Sequence, residues 1–324
     1  MRYNINVLIS LFSSLKQLGT KYKKIIIIIF IGWGLFTFGL GNLIGWLFIP
    51  KETLGNFPIV KKSDRILIVA PHIDDEVIGS GGLIQQAISI RAQIKVVYMT
   101  NGDNNIYSVV TQDRSLKTTP QEFISLGEER MQEGINATKI LGLSSDNLIF
   151  LGYPDRGLYL MFNKYYTEPF TSKGTGLNYN PYKETYKKEQ PYTGSNVVSD
   201  LGEIIGSFKP TVVIVSHPRD LHPDHSASFS FVEKVLNDNN YKGKIFTYLV
   251  HYKTYPFDQR RSDYLYPPKK LFSLKGWVSL NLTSEQENRK LQALNQNKSQ
   301  LEFIDKFIRG FIKRNEIFEE SDSL

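Results

Sequence analysis

The chain has 324 residues, a formal net charge of +7 and 41% hydrophobic residues, which is ordinary for a globular protein with a sizeable core. It contains no cysteine, which excludes a disulfide framework, a cysteine-based zinc site and a thiol nucleophile. Its lysines and arginines are spread along the chain without forming a basic block, so we expect no nucleic-acid partner despite the positive charge.

The first feature along the chain is an uncharged apolar segment at residues 25–50. It is longer than the ~20 residues that a helix needs to cross a bilayer. Five basic residues precede it: Arg2, Lys16, Lys21, Lys23 and Lys24. Because positive charge favours the cytoplasmic side, the segment predicts a single-pass cell-membrane protein. Residues 1–24 would be cytoplasmic, residues 25–50 a transmembrane helix, and the domain that follows extracellular.

A linker at residues 51–64 leads into a pattern of alternating strands and helices. Continuous apolar runs predict five strands that are covered on both faces: residues 65–70, 94–100, 147–152, 211–216 and 244–250. Helical patterns lie between and after them, at residues 77–90, 125–141, 196–208 and 284–311. Residues 65–324 are therefore predicted to form one α/β domain with a doubly wound, mostly parallel, Rossmann-like sheet.

A cluster of ionisable residues directly follows the first predicted strand. The sequence APHIDDEVIGSGG, residues 70–82, contains His72, Asp74, Asp75 and Glu76. Ligands of such sheets bind beyond the carboxyl ends of the strands. Neighbouring carboxylates repel one another, so a positive group is expected to hold them. A simpler alternative is that these acids are favoured only by the dipole at a helix N-terminus.

A second cluster, SHPRDLHPDHSA at residues 216–227, follows the fourth predicted strand. Together the two clusters hold four of the chain's five histidines. Both loops should leave the same edge of the sheet, where His72 and Asp75, spaced i and i+3, could meet His225. Two histidines and one carboxylate are typical of catalytic zinc sites, and the same set suits Fe²⁺. Alternatively, His222 and His225 cap a helix or are ordinary surface polar residues.

These two segments together resemble the PIG-L/LmbE-type N-acetylglucosamine deacetylases, which have His-x-Asp-Asp-Glu after the first strand and His-Pro-Asp-His after a later one. TNGD, ERMQEGINATKILGL, LGYPDRGL and LQALNQNKSQ agree with the same family. Ile73 departs from it, since the family usually has proline there. The resemblance implies a metal-dependent hydrolase, with zinc expected, that removes the acetyl group from an N-acetylated sugar or glycan.

The resemblance also implies roles for individual residues. His72, Asp75 and His225 would bind the metal. Asp74 would be the general base that takes a proton from the metal-bound water. His222 would stabilise the oxyanion or protonate the leaving amine.

Four further residues are candidates for supporting roles. By the resemblance, Asp220 and Asp224 would orient the histidines, as such imidazoles commonly require. Arg130 either binds substrate or only pairs with an acidic residue on its own helix. Asp155 either contacts the substrate, supports the site from behind, or is an ordinary turn aspartate.

Residues 159–192 interrupt the alternation with a segment rich in tyrosine, glycine and proline. Long loops of this kind are usually functional or disordered. Its tyrosines could stack on sugar rings, or they could simply hold a surface loop together.

Two other functions also stay open: hydrolysis of a different N-acyl amide, and sugar binding without catalysis. The presence of both Asp74 and His222 argues against the second, because a binding protein needs neither an acid nor a base.

Overall fold

The computed structural model describes residues 54–104, 118–272 and 276–321. Within these ranges eight strands form one sheet: β1 (Gly55–Asn56), β2 (Arg65–Ala70), β3 (Gln93–Thr100), β4 (Leu148–Tyr153), β5 (Val212–Ser216), β6 (Lys244–Tyr248), β7 (Trp277–Asn281) and β8 (Asn315–Ser321). Their order across the sheet is β1-β7-β8-β6-β5-β2-β3-β4. Strands β2 to β6 are parallel, whereas β8 runs antiparallel to both of its neighbours, β6 and β7.

Helices cover both faces of this sheet. They are α1 (Asp75–Ser89), α2 (Pro120–Ile140), α3 (Leu158–Asn163), α4 (Gly194–Phe208), α5 (Pro223–Asp238), α6 (Lys269–Phe272), α7 (Ser284–Leu294) and α8 (Lys298–Ile308). Successive side chains of β2 alternate between two cores: Ile66 and Ile68 pack with α1, α2 and α7, while Leu67 and Val69 pack with α3, α4 and α5. This is why the strand is apolar throughout.

The starts of several helices follow from local sequence. Thr119 caps α2 in a capping box with Glu122, and Pro120 occupies the first helical position. Thr283 and Gln286 form the same box at α7. At α5 the capping side chain is His222, with Pro223 directly after it. The ring of His222 is therefore fixed at a helix start.

The strand order positions the two histidine-containing loops. Strand β2 lies between β5 and β3, so the chain order reverses at β2. The loops after β2 and β5 leave neighbouring strands at the same edge of the sheet, which is where open α/β sheets bind ligands. The predicted α/β, Rossmann-like class is confirmed. Strands β1, β7 and β8, and the antiparallel direction of β8, were not predicted.

The predicted cell-membrane location is wrong, because the described residues contradict it. No helix among them is long and apolar enough to cross a membrane. Residues 1–24 and the apolar segment at residues 25–50, on which the prediction depended, lie outside those ranges. The prediction came from the hydropathy of this segment and from the basic residues before it. The division of the chain into a linker and a domain stays a prediction.

The tyrosine-rich segment at residues 159–192 is more ordered than a plain loop. It begins within α3, and Tyr182 and Tyr192 are almost completely buried. The Tyr182 hydroxyl donates a hydrogen bond to Asp103 Oδ2 at 2.7 Å. Tyr159 and Tyr179 are exposed. These contacts favour the simpler interpretation, in which several of the aromatic side chains hold the segment against the domain.

Candidate active site

Three side chains from the two loops bring one potential ligand atom each to a common point. His72 Nδ1 lies 3.2 Å from His225 Nε2 and 3.3 Å from Asp75 Oδ2. His225 Nε2 lies 3.2 Å from Asp75 Oδ2. A tetrahedral zinc ion with bonds of about 2.0–2.1 Å separates its ligand atoms by about 3.4 Å. The triangle therefore has nearly the dimensions of three ligands on one metal ion.

The turn after β2 sets the position of the two ligands that it contributes. The backbone N–H of His72 donates to Asp75 Oδ2 at 3.0 Å, which closes the turn at the start of α1. Between them, Asp74 has φ 120° and ψ −28°, a conformation that a residue with a side chain rarely adopts. Such strain costs about 1–3 kcal/mol and is typical of functional sites. Although Asp74 stands at the N-cap of α1, its side chain makes no capping hydrogen bond.

The far side of the His72 ring faces two aspartates. His72 Nε2 lies 3.2 Å from Asp155 Oδ1 and 3.4 Å from Asp224 Oδ2. Asp224 is itself fixed, since it accepts hydrogen bonds from the backbone N–H groups of Arg156 and Leu158. Burial raises the pKa of Asp155, but the contact with His72 outweighs it and leaves that pKa below its usual value. These contacts favour a proton on Nε2 and leave Nδ1 free to bind a cation.

Asp220 supports His225 in the same way. Its Oδ2 lies 3.2 Å from His225 Nδ1, on the side of the ring away from the triangle. Backbone N–H groups of His222, Val250 and His251 also donate to this carboxylate, each at 2.9 Å. Burial raises the pKa of Asp220, but His225 outweighs it and the pKa is lowered. The carboxylate therefore stays charged and orients the ligand ring.

Asp74 and Arg130 meet beside the triangle. Arg130 donates to the backbone carbonyls of Gly102 at 3.0 Å and Ile73 at 2.5 Å, and its Nη2 lies 3.7 Å from Asp74 Oδ2. Burial raises the pKa of Asp74 to about 7. The neighbouring charge of Asp75 also raises this pKa, whereas the charge of Arg130 lowers it. A carboxylate with this pKa is suited to proton transfer at neutral pH.

His222 lies across the site, with its ring centroid 4.8 Å from that of His72. Its Nδ1 accepts a hydrogen bond from the backbone N–H of Asp224 at 3.3 Å. Burial lowers the pKa of His222 to about 2, helped by the nearby histidines. The ring is therefore neutral with its proton on Nε2, which makes it a hydrogen-bond donor to a group in the site.

The electrostatics of the cluster favour a cation. Burial lowers the pKa of His225, but Asp220 and Asp75 outweigh it and raise the pKa to about 10. The surroundings of the triangle thus stabilise positive charge at the ring nitrogens. Buried carboxylates without compensation are costly, and a divalent ion would offset them. The donor set fits zinc, and it also fits Fe²⁺.

Other combinations of potential ligand atoms lie within 4.8 Å of one another: His72, His222 and His225; Asp220, His225 and His251; His72, Asp155 and Asp224. These groups overlap the triangle. We favour His72, Asp75 and His225 because all three pairs of their ligand atoms are 3.2–3.3 Å apart. In addition, Asp155, Asp220 and Asp224 contact the opposite sides of the two rings.

A cavity of about 110 Å³ opens onto these side chains. Its polar walls are His72, Asp74, Asp75, Arg130, Asp155, Arg156, His222, His251 and Gln300. Apolar residues of α1, of α8 and of the segment after β6 complete it. The cavity can hold a small group such as an acetamide but is smaller than the ~300–1,000 Å³ typical of whole-ligand pockets.

Comparison with known proteins agrees with this arrangement. The family model described as "PIG-L: GlcNAc-PI de-N-acetylase" matches residues 67–236, more than half of the 324 residues. The chain belongs to the PIG-L family. The match spans both histidine-containing loops of the PIG-L domain. No curated protein shows significant sequence similarity to the chain.

Several solved structures share the fold of this PIG-L domain. An N,N'-diacetylchitobiose deacetylase from Pyrococcus horikoshii is 19% identical, with a TM-score of 0.51 over 80% of this chain and 84% of that one. The zinc inhibited form of teicoplanin deacetylase Orf2 is 18% identical, with a TM-score of 0.50 over 80% of this chain and 100% of that one. The A40926 pseudoaglycone deacetylase Dbv21 is 16% identical, with a TM-score of 0.50 over 80% of this chain and 98% of that one. At these identities the likeness concerns the fold alone.

Sequence reasoning overlooked two residues that the fold brings to the site. His251 follows β6, and its ring centroid lies 4.7 Å from that of His225. Asp103, in the TNGD motif, accepts a hydrogen bond from the backbone N–H of Asp155 at 3.2 Å. Position in the sequence could have indicated both residues as site candidates, because each follows a strand of the parallel sheet. His251 was not considered because it stands alone, outside the two clusters.

Proposed function

We propose that the PIG-L domain is a metal-dependent deacetylase that removes the acetyl group from an N-acetylated sugar. The observation that carries this proposal is the triangle of His72 Nδ1, Asp75 Oδ2 and His225 Nε2, at 3.2–3.3 Å, beside the strained and buried Asp74. Membership of the PIG-L family supports the same substrate class. The metal would be held by these three side chains, with zinc as the expected ion.

When bound, such a metal activates water and stabilises negative charge on a carbonyl oxygen. The chain's own groups would carry the proton transfers. Asp74, with a pKa near 7, accepts a proton from the attacking water. Neutral His222 donates from Nε2 toward the carbonyl oxygen as charge develops there. Protonated Asp74 then returns its proton to the leaving amine, which gives acetate and a free amino sugar.

Other residues would keep these groups in position. Asp155, Asp224 and Asp220 hold the two ligand rings, as described above. Arg130 fixes the loop that carries Asp74, because it donates to the carbonyl of Ile73. A sugar-binding protein without catalysis would have no use for a buried, strained carboxylate at this point. The small cavity also favours an acetyl group over a longer acyl chain.

The direct test is acetate release by the purified full-length chain. N-acetylglucosamine and N,N'-diacetylchitobiose serve as substrates, first with the protein as purified, then after treatment with a chelator, and then with Zn²⁺ or Fe²⁺ restored. We expect acetate release that is lost on chelation and returns with metal. Release that persists without metal would contradict metal dependence. No release from either sugar under any condition would overturn the proposal.

A further inference from the structure

The tyrosine-rich segment is anchored along β4, at the edge of the sheet, by contacts far from the site. The side-chain amide of Asn180 donates to the backbone carbonyl of Leu151 at 3.3 Å. The backbone N–H of Tyr186 donates to the carbonyl of Phe150 at 2.8 Å. These bonds join the segment to the backbone of the strand. The hydroxyl of Tyr182 is therefore not required to keep the segment on the domain.

Tyr182 reaches instead into the loop after β3. Its hydroxyl donates to Asp103 Oδ2 at 2.7 Å, and both side chains are buried. The approach depends on Gly127 of α2, because a Cβ atom at that position would lie only 2.2 Å from Tyr182 Oη. The close packing against the helix leaves the hydroxyl little freedom to move. Its bond to the carboxylate therefore fixes the position of the Asp103 side chain.

Asp103 in turn supports Asp155, which follows β4. Asp103 Oδ1 accepts a hydrogen bond from the backbone N–H of Asp155 at 3.2 Å. The next residue of the same loop, Asn104, donates its backbone N–H to Asp155 Oδ2 at 3.3 Å. The other oxygen of that carboxylate, Oδ1, lies 3.2 Å from His72 Nε2. A continuous series of contacts thus leads from the segment to a ring of the proposed metal site.

The two aspartates at His72 differ in what holds them. Asp224 is fixed by backbone N–H groups that follow β4 and does not depend on the segment. Asp155 depends on it through the loop after β3. Without the Tyr182 hydroxyl, Asp103 Oδ2 would lose a donor in a buried position, which is costly. We expect the loop to shift so that this oxygen meets water, which would remove support from Asp155.

We propose that Tyr182 is a positioning residue for the metal site, which acts on His72 through Asp103 and Asp155. The inference rests on the metal site of the proposed function. It gives the tyrosine-rich segment a role in the affinity for the metal, in addition to its attachment to the domain. Tyr182 itself would contact neither the metal nor the substrate.

The test measures the zinc affinity of the full-length chain by competition with a chelator of known affinity. Tyr182→Phe removes only the hydroxyl and keeps the packing of the ring. It should weaken zinc binding by about 3–10-fold, less than the ~10–100-fold expected when a group that directly supports a ligand is lost. Gly127→Ala keeps Tyr182 but introduces a methyl group 2.2 Å from its hydroxyl, so it should weaken zinc binding in the same direction.

Tyr192→Phe is the matched control. Tyr192 belongs to the same segment and is equally buried, but its hydroxyl has no hydrogen-bond partner among the residues that the structure describes. The same chemical change there should leave the zinc affinity within about 2-fold of the wild type. An equal loss of affinity in Tyr192→Phe would show a general effect of the segment and would overturn the inference.

A second measurement tests the route through Asp103. In the Asp103→Ala background, adding Tyr182→Phe should change the zinc affinity by less than about 2-fold, because the series of contacts is already broken. The full loss in that background would overturn the route, and an unchanged affinity in Tyr182→Phe alone would overturn the inference. A wild type that binds no zinc would instead contradict the metal site of the proposed function.

Discussion

The two ends of the parallel sheet carry cavities that differ in both size and chemistry. At the amino ends of β2, β5 and β6 lies an open cleft of about 900 Å³ with walls that include Phe57, Val60 and Pro210. At the carboxyl ends the cavity is only about 110 Å³, yet its walls include histidines and aspartates. All the groups of potential metal ligands found in the described part of the chain lie at the carboxyl ends.

Under the proposed function, the smaller of the two cavities is the reaction site, so cavity volume is a poor guide to it. A small cavity suffices when only an acetyl group must be enclosed. The convergence of ionisable side chains is the better guide. The loops that carry them, after β2 and β5, meet where the strand order reverses. Burial there raises the pKa of Asp74 and lowers that of His222, the latter helped by nearby histidines. The buried carboxylates favour a bound cation.

The largest expected effect comes from Asp74→Asn. The amide keeps the shape of the side chain but cannot accept a proton at neutral pH. Acetate release should fall by about 10²–10⁴-fold if Asp74 is the general base. Bound zinc, measured by elemental analysis, should stay near one ion per chain.

The neighbouring variant Asp75→Asn is its control. It should lose metal affinity, and excess Zn²⁺ should partly restore its activity. If Asp74→Asn loses the metal while Asp75→Asn keeps it and is merely slow, the two roles are reversed.

Removal of a ligand should empty the metal site. His225→Ala is expected to contain far less than one zinc ion per chain, because two side chains of the triangle cannot replace the third. His217→Asn provides the comparison, since His217 lies in the same loop but contacts Glu319 and Trp277 instead. Equal zinc contents in the two folded variants would remove His225 from the ligand set.

Loss of a supporting carboxylate should have a smaller effect. Asp220→Ala and Asp224→Ala should each weaken zinc binding by about 10–100-fold, measured by competition with a chelator of known affinity. Asp200→Ala removes a buried aspartate that instead accepts a hydrogen bond from Tyr153. Its zinc affinity should match that of the wild type. An unchanged affinity in Asp220→Ala would contradict the proposed orientation of His225.

Asp103 should make stability depend on pH. Burial raises its pKa from 3.8 to about 7, helped by the charge of Asp155. The folded state therefore holds this proton more tightly than the unfolded state. The resulting stabilisation is complete below about pH 4 and is lost as the pH rises through about 7.

Asp103→Asn lacks this titration. Between pH 5 and pH 8 the free energy of unfolding of the variant should therefore rise relative to the wild type, by roughly 1–3 kcal/mol. Urea denaturation of both proteins at several pH values measures it. A constant difference across this range would show that Asp103 is not buried as a neutral acid.

The smallest expected effect is at the opposite end of the sheet. Ile59 is 88% exposed at the amino-end cleft, so Ile59→Ser should change neither folding nor the site. Acetate release should stay within about 2-fold of the wild type. A large loss of kcat/KM would mean that the larger cleft takes part in the reaction.

The sequence by itself predicted much of this protein. Apolar runs with helical segments between them were enough for the α/β class, because strands buried on both faces are apolar throughout. The position of His72, Asp74 and Asp75 after one strand, and of His222 and His225 after another, pointed to a single site. Resemblance to PIG-L proteins then suggested roles for these residues, which stay predictions until they are tested.

Other features depended on contacts between residues that are distant in the chain. Local sequence could not show that β8 would run antiparallel between β6 and β7, because that pairing involves residues far apart in the chain. Nor could it choose between alternatives for Arg130, whose partners Gly102 and Ile73 lie on other loops. The same limit applies to His251 and Phe307, which reach the site from after β6 and from α8. A sequence indicates which residues follow strands, but only the packed fold determines which of those residues meet.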